Sequence, residues 1–216
     1  MPPVNWMGTV YHGLPRDMLK FSPKRDGYLA FLGRISPEKR PDRAIEIAER
    51  CGLPLKMAAK IDKVDRPYWE EVIEPLVRAN ANVEYVGEIT EHQKGEFLGG
   101  AQSLLFPIDW CEPFGLVMIE AMAWGTPVVA WANGSVPEVI DHGDTGFIVS
   151  SIDDAVAAVE NAGALDRARV RSTFETRFTV ERMARDYVDI YRSLCGVDSV
   201  KPALRATQAN VLPMRA

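Results

Sequence analysis

A chain of 216 residues, 47% hydrophobic and 25% charged, is long enough to bury one large α/β core without disulfides or metal. Its formal net charge of −5, with no cluster of Lys and Arg, argues against a nucleic-acid partner, whose phosphates require a basic face. Cys51, Cys111 and Cys195 are odd in number, far apart and without His at ligand spacing. They read as reduced thiols, which argues against structural zinc; with neither a signal sequence nor a long apolar run, the chain reads as cytoplasmic, a peripheral place at a membrane surface being left open.

In chain order, residues 1–22 are an irregular, linker-like segment containing Pro and Gly. Residues 28–32 read as a buried strand, with Gly33 turning the chain out of it, and a helix follows over 41–51 with Ala44, Ile45, Ile47 and Ala48 as its apolar stripe. The rhythm repeats: strands at 55–59, 83–86, 103–106 and 127–130, helices at 67–80, 91–101 and 114–124. A short helix at 134–140, a last strand at 146–149 and helices at 152–162 and 166–176 complete the domain, placed at 23–178. Short continuous apolar strands alternating with helices predict a single Rossmann-like α/β domain, a parallel sheet covered on both faces. Over 179–195, Val180, Met183, Tyr187, Ile190 and Leu194 recur at steps of three and four, so this segment is an amphipathic C-terminal helix; 196–216 lacks a period and reads as a flexible tail.

Ligands of open parallel sheets sit beyond the carboxyl ends of the strands, here the loops 33–40, 87–91 and 107–115. On the first loop, Arg34 and Lys39 are two cations placed to flank a pyrophosphate, although cations beside a helix entrance are commonly only solvated. On the third, Pro113 suits a first helical turn, Gly115 permits close backbone approach, and the amides of Gly115, Leu116 and Val117 would face an anion. Glu112 and Glu120, eight positions apart in an otherwise apolar stretch, suit the hydroxyls at the two neutral ends of a diphosphate ligand. If the whole stretch is helical they stand roughly 12 Å apart. The plainer readings are a favourable charge near a helix dipole for Glu112 and an exposed helix position for Glu120.

No Gly-x-Gly-x-x-Gly follows the first strand and no P-loop motif occurs, so dinucleotide oxidoreductases and P-loop NTPases lose their support. His12, His92 and His142 are scattered and no nucleophile elbow is present, which disfavours a triad hydrolase. Asp109-Trp110-Cys111 before the first glutamate reads as structural.

The stretch Glu-Pro-Phe-Gly-Leu-Val-Met-Ile-Glu-Ala-Met-Ala-Trp-Gly-Thr-Pro-Val-Val-Ala from Glu112, together with Gly33-Arg34…Lys39, Gly87-Glu88-Ile89…Lys94, Gly134-Ser135-Val136-Pro137-Glu138 and Asp144-Thr145-Gly146, resembles the C-terminal, donor-binding half of retaining family-four glycosyltransferases of GT-B fold. The resemblance spans roughly residues 8–195 and departs where Arg40-Pro41 and Asn133-Gly134-Ser135 replace more glycine-rich sequences. It implies Arg34 and Lys39 on the diphosphate, Glu120 on the ribose, Glu112 as the catalytic carboxylate beside the donor sugar, Ile89 and Lys94 near the base, and the amides after Phe114, those of Gly115 and Leu116, on phosphate or sugar.

The function so implied is binding of a nucleoside-diphosphate sugar, a UDP-sugar, for retaining hexosyl transfer to an acceptor hydroxyl, with no obligatory cofactor or metal. The acceptor-binding N-terminal domain of such enzymes is absent before Gly27, so the chain alone is expected to bind donor without transferring it. Two other readings remain: a non-catalytic module that works with a separate acceptor subunit, and a nucleotide-sugar epimerase. The apolar stripe of the last helix would then meet that subunit, or a second copy in a homodimer.

Overall fold

The computed structural model describes residues 5–18 and 21–196. Strands β1 (Leu29–Arg34), β2 (Leu55–Lys60), β3 (Val83–Gly87), β4 (Ser103–Phe106), β5 (Val128–Trp131) and β6 (Gly146–Val149) form one six-stranded sheet in the order β3-β2-β1-β4-β5-β6. Every pairing is parallel, so the chain is a Rossmann-like α/β domain wound in both directions from β1.

Alternation along the strands builds two cores. Ala30, Leu104, Phe106, Val128 and Ala130 face a layer formed by α4 (Glu91–Gly99), α5 (Leu116–Ala123), α6 (Val136–Val139) and α8 (Arg167–Arg177). Leu29, Phe31, Leu105, Val129 and Trp131 face α1 (Pro41–Cys51), α7 (Ile152–Ala162) and the irregular helix between β2 and β3. A sheet buried on both faces accounts for strands that read as unbroken apolar runs.

Three expected elements differ. Gly33 does not turn the chain: it continues β1 opposite Ala59, and the turn follows Arg34. The ladder to β2 extends that far because β2 also runs on to Lys60, whose carbonyl accepts from the amide of Ile35 at 2.9 Å. The helix at 67–80 is broken into α2 (Arg66–Tyr68), a π-turn at Trp69–Ile73 and α3 (Glu74–Ala79). Pro75 has no N–H to continue an α-helical ladder, and the amide of Glu74 reaches back five residues to Trp69. The third, the helix at 114–124, begins only at Leu116.

Arg167 closes the ends of two helices. Only 5% exposed, it donates to the carbonyls of Gly99 and Ala101 at 2.8 Å each, of Ser22 at 2.9 Å and of Trp124 at 3.3 Å, and to Thr126 Oγ1 at 2.8 Å. All but Ser22, which belongs to the incoming segment, lie at or just beyond the C-terminal ends of α4 and α5, where a cation meets the negative end of the helix dipole. Burial among neutral groups still pushes the guanidinium pKa down, to about 10.

The incoming segment is stitched to the far end of the domain. Leu14 donates to the carbonyl of Phe178 at 2.9 Å, and Val180 donates back to Leu14 at 3.0 Å. The last helix, α9 (Val180–Cys195), has no buried residue, and Tyr187, Val188, Tyr191 and Leu194 are exposed. Residues 197–216, most of the expected flexible tail, lie outside the described residues. Among the described residues no helix is long and apolar enough to cross a membrane.

Candidate functional site

The sheet order reverses between β1 and β4. The chain leaves β1 toward α1 on one face and β4 toward α5 on the other, which opens a crevice at the carboxyl ends of the two strands. A cleft of about 230 Å³ lies there, with Phe31, Gly33, Phe106 and Ile108 on its walls and Arg34, Lys39, Glu112, Gly115 and Leu116 among its polar and backbone lining. Gly33 works as floor rather than as hinge: a Cβ built on it meets no atom within 4 Å.

The loop after β1 is a short 3-10 helix, Pro37–Lys39, ended by Arg40 in the left-handed region at φ 51°. Among the described residues Arg40 is the one non-glycine there, at the position where the resembled sequences favour Gly. Its guanidinium compensates by bonding Asp42 at 2.7 Å and Asp109 at 3.2 Å, and the amide of Asp109 donates to Glu38 O at 2.8 Å. The two loops of the crevice are therefore tied together behind Lys39.

Lys39 Nζ stands 2.6 Å from Glu112 Oε2. The indole Nε1 of Trp110 donates to the same oxygen at 3.0 Å, and Lys39 lies 4.8 Å from the centre of the Trp110 ring. Both charges are largely shielded, with 16% and 11% of their side chains exposed. This overturns the helical placement of Glu112, and with it the 12 Å estimate and the first-turn position of Pro113. Both residues are in the loop, because Gly115 at φ 77° caps α5 and starts it at Leu116. The amides of Leu116 and Val117, the first two helical residues, have no acceptor within the helix.

Asn133-Gly134-Ser135 fastens this loop from below. Asn133 Nδ2 donates to Ile108 O at 2.8 Å, Ser135 N to Glu112 O at 2.9 Å, and Ser135 Oγ to Phe114 O at 2.8 Å. Gly134, at φ 59°, lies so close that a Cβ would overlap the backbone N and O of Glu112.

Arg34 shares this cleft, and the remaining candidates fall elsewhere. Arg34, half-exposed, is held by Glu38 at 2.9 Å and Asp62 at 3.7 Å. Lys94 on α4 meets Glu120 on α5 at 3.0 Å and Glu91 at 2.6 Å. Burial alone would lower the Lys94 pKa, but these two carboxylates outweigh it and raise it. Ile89, half-buried, packs against the core. The Phe114 ring is buried near His12, Tyr11 and Phe178, turned away from the cleft lining. Thus Arg34, Lys39, Glu112, Gly115 and Leu116 line one cleft, whereas Ile89, Lys94, Phe114 and Glu120 are outside its lining. Trp110, read from the sequence as structural, and Glu38 and Asp62, which no motif marks, all contact candidate residues.

Comparison with known proteins places the chain in a family. A model for glycosyl transferases group 1 matches residues 19–171. A D-inositol 3-phosphate glycosyltransferase of Nocardioides sp. is 30% identical over 201 residues, covering 79% of this chain and 42% of that protein. The protein of the same name from Mycobacterium tuberculosis is 32% identical over 167 residues, covering 72% and 34%. Among solved structures, AviGT4, a glycosyltransferase involved in avilamycin A biosynthesis, superposes with a TM-score of 0.74 at 24% identity, covering 88% of this chain and 58% of its own. HepE of Anabaena, solved with UDP and glucose, superposes with a TM-score of 0.74 at 20% identity, covering 85% and 56%. The chain spans less than half the length of these curated relatives. With a family model matched across most of its length, and a Rossmann-like domain that superposes on part of glycosyltransferases of GT-B type, the chain belongs to the glycosyl transferases group 1 family.

Proposed function

We propose that the chain is the donor-binding half of a retaining glycosyltransferase, holding a UDP-sugar in the crevice between β1 and β4. The observation that carries this reading is the meeting of Lys39, Glu112 and the N-terminal end of α5 on one cleft at the switch point of the sheet. Lys39 and Arg34 are cations for a diphosphate, and the free amides of Leu116 and Val117 add donors preorganised for the charge that grows on the leaving diphosphate. Glu112 is the carboxylate for the hydroxyls of the donor sugar. Glu120, steadied by Lys94, is the acceptor for the ribose hydroxyls, with Ile89 near the base. The reading assigns no step to a metal.

Acceptor binding belongs to an N-terminal half such as the longer relatives have room for. By itself the chain binds donor and transfers little. A second reading, a module completed by a separate acceptor subunit or by a second copy, is favoured by the exposed Tyr187, Val188, Tyr191 and Leu194 on α9. The exposed thiols Cys111 and Cys195 suit a cytoplasmic setting.

Calorimetric titration of the chain with UDP, GDP and ADP and then their glucose forms tests the reading. UDP and UDP-glucose bind, and Lys39→Ala and Glu120→Ala each weaken UDP by about tenfold or more. Absence of binding by every nucleotide, or unchanged affinity in both variants, sinks the site. Robust hexosyl transfer by the chain alone sinks the division of labour.

A further inference from the structure

Trp110 makes two contacts, to the cleft-lining Glu112 and Lys39, that the donor-site reading does not use. Its indole N–H donates to Glu112 Oε2 at 3.0 Å, and its ring lies beneath the Lys39 ammonium at 4.8 Å. Lys39 and Trp110 therefore converge on one oxygen of one carboxylate, leaving Glu112 Oε1 as the oxygen presented to a ligand.

The two donors are not equivalent. An ammonium is a mobile point charge on a flexible stem, and a diphosphate entering the cleft competes for it. The indole N–H is a neutral donor on a rigid two-torsion side chain, has no acceptor capacity, and gains nothing from leaving a carboxylate. When Lys39 turns toward phosphate, Trp110 is the group that still holds Glu112 in place. The ring also keeps Lys39 within reach of both anions through its π-face.

Resting on the donor-site reading, we propose that Trp110 is a positioning residue for Glu112: it fixes the carboxylate for the sugar ring while Lys39 is drawn to the diphosphate, and so sets discrimination between a nucleotide sugar and its bare nucleotide. The consequence is specific. Removing the N–H weakens binding of the sugar-bearing ligand and spares the nucleotide, whereas removing Lys39 weakens both.

Three variants of the whole chain separate the parts. Trp110→Phe keeps a ring under Lys39 and deletes the N–H; Trp110→Gln keeps an N–H donor and deletes the ring; Glu112→Gln removes the charged acceptor. Without ligand, the Trp110 indole resonance, identified among the five tryptophans by its loss in Trp110→Phe, shifts upfield in Glu112→Gln. In calorimetric titrations Trp110→Phe binds UDP within about twofold of wild type but binds UDP-glucose about tenfold more weakly, the factor expected for one hydrogen bond to a charged acceptor. Trp110→Gln recovers part of that loss. An indole resonance unmoved by Glu112→Gln, equal weakening of UDP and UDP-glucose in Trp110→Phe, or UDP-glucose affinity unchanged in that variant overturns the proposal and leaves the donor site standing. Failure of the wild-type chain to bind either ligand overturns the donor site and this role with it.

Discussion

Replacing Gly134 by Ala tests how tightly the loop carrying Glu112 is held. Two separate costs follow from the geometry. A residue with a Cβ at φ 59° carries backbone strain of about 1 kcal/mol. The added methyl also overlaps the backbone N and O of Glu112, atoms with no rotamer by which to yield, so the loop itself must move. Overpacking of this kind costs about 1–3 kcal/mol, giving roughly 2–4 kcal/mol in all. That is a sizeable share of the stability of an ordinary domain, about 5–15 kcal/mol. Gly143→Ala provides the control, because Gly143 also has a positive φ, 82°, but a Cβ there meets nothing within 4 Å. It therefore carries the strain without the overlap, about 1 kcal/mol. Urea unfolding of both variants gives the difference directly, and titration with UDP-glucose reports whether displacing the loop weakens the sugar contact, as it should for Gly134→Ala alone. If the two variants lose equal stability, within about 0.5 kcal/mol, the close approach of residue 134 to Glu112 does not constrain the loop and the reasoning fails.

Other consequences are as open to measurement. Arg167→Met strands the buried carbonyls of Gly99 and Ala101 and should cost roughly 2–5 kcal/mol in urea unfolding; a loss under about 1 kcal/mol shows that water or rearrangement replaces the guanidinium. For Asp42, burial alone would raise the carboxyl pKa, but the hydrogen bonds and charge of Arg40, with help from Tyr68, hold it below the usual value. A depressed folded pKa stabilises above the unfolded carboxylate value, about 3.9, and that contribution disappears as pH falls through the folded value. Stability measured against pH should thus drop below about pH 4 in wild type and more shallowly in Asp42→Asn, and parallel curves refute the assignment. If α9 makes a homodimer, wild type sediments faster as concentration rises and Tyr187→Lys does not; a wild type that stays monomeric removes that arrangement.

The sheet was legible because both its faces are buried, so each strand announces itself as an apolar run whatever its neighbours do. Helices with one dry stripe, such as α1 and α7, were legible for the complementary reason. What escaped were features decided by single backbone groups. Gly33 looks like a turn in sequence, yet it is the ladder to β2 that determines where β1 ends. Pro75 lies in an apolar-periodic window that hides the missing N–H. In the crevice, the motif marked Lys39 and Glu112 but gave no sign that they pair with each other, since residues 73 apart meet only through the sheet order. Asp62 beside Arg34 was invisible on the same grounds, since only the pairing of β1 with β2 brings it to that guanidinium, whereas Glu38, four residues along the same loop, is a local partner hidden by how common solvated acids are.

The short bridge between Leu14 and Thr179 has a mechanical meaning. The chain comes in at residues 11–14 and passes into α9 beside the same spot, where Arg182 grips the carbonyls of Tyr11 and His12 at 2.8 and 3.0 Å. A pull applied between residues upstream of Tyr11 and residues downstream of α9 is borne by two backbone hydrogen bonds, by Arg182, by the Tyr11 hydroxyl on Glu138 and by the bonds of Arg16 to Glu175 and Arg171, none of them in the sheet. Tethered by its two ends, the domain should lose this clasp at low force and keep its crevice, Lys39 and Glu112 included, as an undeformed unit.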